Sequence, residues 1–148
     1  MPDKPLEKRP SLSIIRHYNA SLEKVWRAWT DPEAMKEWWK PDDNYSWVVT
    51  EADVQVGGRY RIRMVAPDGK EHEVSGVYLE VIPNRKLVFT WVGKETSETE
   101  TLVTMTLRPS GSGTELELKH EHFSDTKDRD SHQEGWSGCL TVLEHFLS

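Results

Sequence analysis

The spacing of apolar residues along the middle of the chain is the feature that most constrains its fold. Between about residues 45 and 123 apolar and polar side chains alternate, as in the segment VGGRYRIRM at 56–64. A period of two is typical of strands with one buried and one solvated face. Turn sequences such as PDG at 67–69 and PSGSG at 109–113 interrupt the alternation and separate about five or six strands. The pattern therefore predicts a one-sided antiparallel sheet.

A strand and two short helices are predicted before this sheet. A β-branched run at residues 12–18 predicts the strand, and Ser21 then provides an N-cap for a helix with one apolar stripe. For the second helix, Asp31 and a capping box of Thr30 with Glu33 are alternative N-terminal signals.

The last segment predicts one long amphipathic helix, which begins at Thr126 or at Ser131. Its apolar positions follow helical spacing at Trp136, Leu140, Leu143 and Leu147. A one-sided sheet must cover its apolar face, and this helix is the longest amphipathic element in the sequence. We therefore predict an α+β fold in which a curved antiparallel sheet of six or seven strands wraps around the C-terminal helix. Such curvature leaves room for a cavity between sheet and helix.

The register of the strand at residues 74–82 stays open at this point, because two sets of apolar residues compete for the inner face. A β-bulge would reconcile the two sets. One set is Val74, Tyr78 and Ile82, and the other is Val77, Leu79 and Val81.

Composition predicts one domain, over residues 12–148, after a flexible and charged lead-in at residues 1–11. The chain has 19 basic and 25 acidic residues, a net charge of −6, and no basic stripe, so nucleic acid is not expected as a partner. No segment approaches the roughly 20 apolar residues of a membrane span, so no membrane insertion is expected. The single cysteine, Cys139, requires no oxidising compartment, and the cytoplasm is the expected location.

Five segments, in this order, resemble a known family. They are WTDPEAMKEWWKP at 29–41, VGGRYRIRM at 56–64, GVYLEVIPNRKLVFTW at 76–91, TELELKHEHF at 114–123 and HQEGWSGCLTVLEHFL at 132–147. As a set, they resemble the proteins related to the C-terminal domain of the activator of heat shock protein 90 ATPase, within the START-like helix-grip superfamily. This resemblance implies the helix-grip fold and a pocket under the C-terminal helix.

The resemblance leaves three functions open, because one fold hosts many activities. The leading hypothesis is that the domain binds a small hydrophobic or aromatic ligand between the sheet and the C-terminal helix. One alternative is a co-chaperone that stimulates the ATPase of a heat shock protein 90 homologue. The sequence shows no counterpart of the full activator's separate N-terminal domain, and binding through one domain alone makes stimulation of the ATPase harder to achieve. The other is a small cyclase-type enzyme with His120, Tyr60 or Tyr78 as its general acid or base.

The candidate ligand-binding residues combine inner-face strand positions with positions that the resemblance places at the pocket. Tryptophan, methionine and leucine side chains would form an apolar wall, and one histidine with two tyrosines would supply orienting hydrogen bonds. The apolar wall comprises Trp39, Met64, Trp91, Met105, Trp136 and Leu140, and the hydrogen-bonding set comprises Tyr60, Tyr78 and His120.

The sequence gives no reason to expect a metal, a cofactor or a catalytic residue. His120, His122 and His132 are close in sequence, but a metal site needs converging ligands, and no second cluster of acidic or cysteine ligands accompanies them. No nucleophile, phosphate-binding or dinucleotide-binding motif occurs. Cys139 lies in the middle of an apolar helical segment, where cysteines are usually inert.

Overall fold

Seven strands and three helices make up the described part of the chain. The computed structural model describes residues 9–40, 44–93 and 100–148, and for residues 47–50 it describes the backbone alone. Residues 1–8 of the predicted lead-in therefore lie outside the described residues. The elements are β1 (Leu12–Tyr18), α1 (Leu22–Thr30), α2 (Pro32–Trp38), β2 (Ser46–Ala52), β3 (Arg59–Val65), β4 (Glu71–Ile82), β5 (Lys86–Gly93), β6 (Thr101–Ser110), β7 (Gly113–Glu121) and α3 (Thr126–Leu147).

The strands form one curved sheet in the order β1-β7-β6-β5-β4-β3-β2. Every neighbouring pair in this order is antiparallel. Helix α3 packs against the sheet at β1 and against α1 and α2. The predicted α+β helix-grip fold, with a curved antiparallel sheet around the C-terminal helix and two short helices after the first strand, is confirmed.

Side-chain caps fix where the first two helices begin. The Ser21 hydroxyl accepts a hydrogen bond from the backbone N–H of Lys24 at 3.2 Å, as its N-cap position predicts. For α2 the cap is Asp31, whose Oδ1 accepts the N–H of Glu33 at 3.1 Å. The alternative capping box does not form, because Thr30 is the last residue of α1 and bonds backwards to the carbonyl of Trp26.

Helix α3 begins at the earlier of its two predicted positions. Asp125 is its N-cap, and the carboxylate accepts the N–H of Asp128 at 2.8 Å. The Tyr18 hydroxyl on β1 donates to the carbonyl of Leu140 at 2.9 Å, which fixes the helix relative to the sheet. Its predicted apolar face is buried, at Trp136, Leu140, Leu143 and Leu147. Across the described part of the chain no helix, α3 included, is long and apolar enough to cross a membrane.

A bulge settles the register of β4. The pairing of β4 with β5 shifts by one residue between Tyr78 and Glu80. Before the bulge Val74 and Tyr78 face the core, at 5% and 2% exposure, whereas Leu79 at the bulge points outwards and is 50% exposed. After the bulge it is Val81, from the other set, that packs against the core, because the extra residue reverses the alternation.

Gly76 on β4 is required by the close approach of its neighbours. A Cβ built on Gly76 would lie 1.9 Å from the carbonyl oxygen of Thr90 and 2.8 Å from the ring of Tyr60. The Tyr60 hydroxyl donates to the same Thr90 carbonyl at 2.6 Å, so the ring cannot swing away without losing this partly buried hydrogen bond. Gly76 thus allows β4, β5 and the Tyr60 ring to pack together.

We predict that Gly76→Ala lowers the free energy of unfolding by about 3 kcal/mol, because overpacking against backbone atoms forces strand displacement. Gly135→Ala is the matched control. Its added Cβ would meet no atom within 4 Å, and alanine is favoured over glycine in a helix by about 1 kcal/mol. Urea denaturation of the two variants should therefore give changes of opposite sign. Equal effects would contradict the close approach at Gly76.

Candidate functional site

A cavity of about 320 Å³ lies between strands β3 to β5 and helix α3. It is the space that the predicted curvature of the sheet leaves beneath the helix. The lining comprises Trp39, Tyr45, Met64, His72, Glu73, Val74, Trp91, Gly93, Ser131, His132, Gly135, Trp136 and Cys139.

The floor and the rim of this cavity differ in chemistry. The floor is formed by Trp39, Val74, Trp136 and Cys139, each at most 5% exposed. The rim carries most of the polar groups: it includes the half-buried Tyr45, His72, Trp91 and His132 and the exposed Ser131. A molecule in the cavity would therefore meet aromatic and aliphatic surface inside and hydrogen-bonding groups near the opening.

Five tryptophans form one continuous group behind and along the cavity, which we call the tryptophan cluster. Ring centroids are 5.0 Å apart for Trp38 and Trp39, 5.9 Å for Trp39 and Trp136, and 5.0 Å for Trp136 and Trp91. Trp29 completes the cluster, at 4.8 Å from Trp38 and 6.1 Å from Trp136. Aromatic pairs at these separations attract beyond simple area burial. The cluster connects α1, α2, α3 and β5.

A directed hydrogen-bond chain holds the Trp136 indole in place. Its Nε1–H donates to Nδ1 of His120 at 3.0 Å. Because an indole can only donate, Nδ1 must be unprotonated and Nε2 carries the proton. That Nε2–H donates to the Thr101 hydroxyl at 2.6 Å, and the hydroxyl donates in turn to the carbonyl of Trp91 at 3.2 Å.

A second histidine, His132, orients the Trp91 indole in the same way, by accepting its N–H. The Trp91 Nε1–H donates to Nε2 of His132 at 3.3 Å, and Nδ1 of His132 donates to the carbonyl of Asp128 at 2.9 Å. Both nitrogens of His132 are therefore engaged when its ring is neutral. Two of the three indoles in the described lining, those of Trp91 and Trp136, are thus fixed in orientation by hydrogen bonds.

His120 is a neutral core histidine in this arrangement. Its side chain is fully buried. Burial lowers the pKa of His120 well below 6.5, and the nearby His132 and His122 lower it further. A second proton would also break the bond from Trp136, because protonated Nδ1 cannot accept.

Strand alternation decides which polar groups of β4 face the cavity. His72 pairs with Met64, which is on the inner face, so its ring shares that face. Glu73 pairs with Arg63 on the opposite face, and its carboxylate oxygen lies 3.6 Å from the Arg63 Nε. The carboxylate of Glu73 therefore points away from the cavity.

The structure brings four of the nine candidate residues together on the cavity wall, namely Trp39, Met64, Trp91 and Trp136. The other five lie in the core outside the lining. Burial raises the pKa of the Tyr60 and Tyr78 hydroxyls well above 10, so both stay protonated. This core group comprises Tyr60, Tyr78, Met105, His120 and Leu140, each at most 3% exposed.

Sequence reasoning did not single out several lining residues. For His72 a signal was present, because the turn at 67–69 sets a hairpin register that places this residue opposite Met64. For Tyr45, Ser131 and Gly135 no local pattern reveals that they meet at one cavity. Only the packing of α3 across the sheet brings them together.

His122 and Cys139 lie in surroundings typical of structural residues rather than of reactive ones. Strand β7 ends at Glu121, and His122 then has a φ of 75°, so the alternation of β7 stops there and Phe123 is the next buried residue. Burial raises the pKa of the Cys139 thiol to about 12, so the thiol stays protonated. Within residues 9–40, 44–93 and 100–148, no group of three or more His, Cys, Asp or Glu could hold a metal ion.

We predict that His120 makes the protein less stable in mild acid. Below pH 6.5 the unfolded chain takes up a proton that the folded protein does not bind, because the folded pKa is lowered. The free energy of unfolding should then fall by up to about 1.4 kcal/mol per pH unit. His120→Gln should flatten this dependence, as measured by urea denaturation from pH 6.5 to about pH 5. The control His145→Gln changes an exposed histidine; an equal flattening there would contradict the assignment.

Comparison with known proteins gives close structural matches. Protein CV1439 from Chromobacterium violaceum is 28% identical, with a TM-score of 0.84 over 93% of this chain and 96% of that one. A putative uncharacterized protein from Rhizobium leguminosarum is 26% identical, with a TM-score of 0.82 over 93% of each chain. CalU16 from Micromonospora echinospora is 28% identical, with a TM-score of 0.72 over 93% of this chain and 76% of that one.

A search of functionally curated proteins found no match. A family model, however, covers nearly all of the described fold. The model of the Activator of Hsp90 ATPase homolog 1-like protein matches residues 19–148, from the segment before α1 to the end of α3. The chain therefore belongs to the Activator of Hsp90 ATPase homolog 1-like protein family.

Proposed function

We propose that this protein binds a small hydrophobic or aromatic molecule in the cavity between the sheet and α3. The observation that carries the proposal is the cavity itself, which has a buried apolar floor and a polar rim. Sites for small molecules in proteins share this combination of apolar walls with a few placed polar groups. As part of the proposal, residues 12–148 act as one binding domain and the protein works in the cytoplasm, where its lone Cys139 would stay reduced.

Fixed orientation of the lining indoles supports this proposal energetically. Trp136 is held by His120 and Trp91 by His132, so their ring faces are in place before binding. A site that is already ordered loses little conformational entropy when it binds, and more of the apolar burial contributes to affinity. Met64 on the wall has a flexible side chain that can adapt to ligand shape.

Gly135 provides a direct test of the cavity. It lines the cavity, and a Cβ at this position would meet no atom within 4 Å. We predict that Gly135→Leu fills the opening and weakens ligand binding about tenfold or more, while the folded protein becomes no less stable because leucine favours helix. Binding would be measured by amide NMR, with pooled lipids, sterols, flavonoids and aromatic polyketides as probes.

The control is Glu134→Leu, which places the same side chain at an exposed position of α3, one residue away. It should leave binding unchanged. Saturable shifts that persist in Gly135→Leu would locate the ligand elsewhere and contradict the proposal. The absence of shifts with every probe pool in the unaltered protein would also contradict it.

The family supplies a second candidate function. The matching model is named for an activator of the Hsp90 ATPase, so stimulation of a heat shock protein 90 homologue is the alternative. An ATPase assay of such a homologue, with and without this protein, tests the alternative directly. An unchanged rate would remove it. Gly135→Leu separates the two functions, since a change confined to the cavity should not alter contacts made by the outer surface.

The cyclase-type alternative has less support from the site. Its acid or base candidates were His120, Tyr60 and Tyr78, and all three lie outside the cavity lining. His120 has both ring nitrogens engaged in core hydrogen bonds. None of these groups presents a proton to a molecule in the cavity.

A further inference from the structure

The size of the cavity restricts the class of ligand. A volume of about 320 Å³ is at the lower end of the roughly 300–1,000 Å³ typical of ligand sites. A flat molecule of one or two fused rings fits such a space, whereas a sterol or a long-chain lipid would extend out of it.

The distribution of polar groups gives such a ligand an orientation. The floor residues Trp39, Val74 and Trp136 offer apolar and aromatic surface. The polar side chains of His72 and Ser131 lie at the rim, from β4 and α3 respectively. A polar substituent buried at the floor would lose its hydrogen bonds to water without replacement. The ring system therefore faces inwards and the substituent faces the rim.

The charges around the cavity favour a neutral ligand. Among the described lining residues there is no lysine or arginine. Their one carboxylate, that of Glu73, belongs to the outer face of β4 and pairs with Arg63. A charged ligand group beside the indoles would thus have no permanently charged partner among the described residues of the inner face, and uncompensated charges are costly to desolvate.

We propose, on the basis of the binding function above, that the ligand is a compact, neutral aromatic molecule of one or two fused rings with a polar substituent. Its ring system packs on Trp39 and Trp136, and the substituent lies at the rim near His72 and Ser131. This assigns the inner aromatic floor as a ring subsite and the β4–α3 rim as the subsite for a hydroxyl or similar neutral group.

Matched probes test each part of this assignment. 2-Naphthol is the reference, and 1-decanol has the same number of carbons and a hydroxyl but no ring. 1-Hydroxypyrene tests the size limit, and 2-naphthoate and 2-naphthylmethylammonium test the preference for a neutral group. Affinities come from calorimetry, and the location comes from NMR shifts of the indole N–H groups of Trp91 and Trp136. The expected result is that 2-naphthol binds at least about tenfold more tightly than each of the others.

Intermolecular NOEs test the orientation. Ring protons of 2-naphthol should contact Trp136, and the ring position that bears the hydroxyl should lie nearest the rim. The reverse orientation would overturn the subsite assignment. If 1-decanol, 1-hydroxypyrene or either ion bound as tightly as 2-naphthol or more tightly, the assignment would also be overturned. The proposed binding function would still stand in that case if Gly135→Leu abolished the binding. No saturable binding by any of the five probes would overturn the ligand class, and the outcome with the broader probe pools would then decide the binding function separately.

Discussion

The packing of Trp136 is the interaction on which the rest of the structure depends. Its indole contacts Trp29 on α1, Trp39 at the end of α2, and Trp91 on the sheet. Its N–H donates to His120 on β7. A single side chain of α3 therefore contacts both other layers of the molecule, and it combines large apolar burial with a satisfied polar atom.

The cavity follows from how this large side chain is placed. Indole rings are rigid and bulky, so a cluster of them fills the side of the sheet near α1 and α2. The residue before it on α3, Gly135, has no side chain, and the space beside it stays open. The fold thus has a dense aromatic core and an open cavity that share one wall, Trp136 with Trp39.

Histidines hold two of the indoles around the cavity, those of Trp136 and Trp91. A buried histidine is usually an energetic disadvantage, because the proton that it would bind in solution is excluded. Here the His120 ring accepts the Trp136 N–H, which would otherwise be buried without a partner, and His132 accepts the N–H of the half-buried Trp91. The cost of a neutral His120 in mild acid is thus coupled to the order of the Trp136 indole, which would link stability to the proposed binding.

Local signals in the sequence determined the elements and the layers of this protein. Alternation identified the strands, Ser21 capped α1, and the spacing of Trp136, Leu140, Leu143 and Leu147 identified the buried face of α3. The same signals left the start of α2 and the register of β4 open, because competing local patterns there were equally good. The structure decides between them through Asp31 and through the bulge beside Tyr78.

The composition of the site was decided by tertiary structure alone. Inward-facing residues are recognisable from a pattern with a period of two, but a pattern cannot distinguish a core position from a cavity position. His120 and Met64 both face inwards, yet Trp136 covers the first, and the second lies where Gly135 leaves space. That distinction depends on the volumes of side chains that other elements bring to the same place, and no single segment of the sequence gives this information.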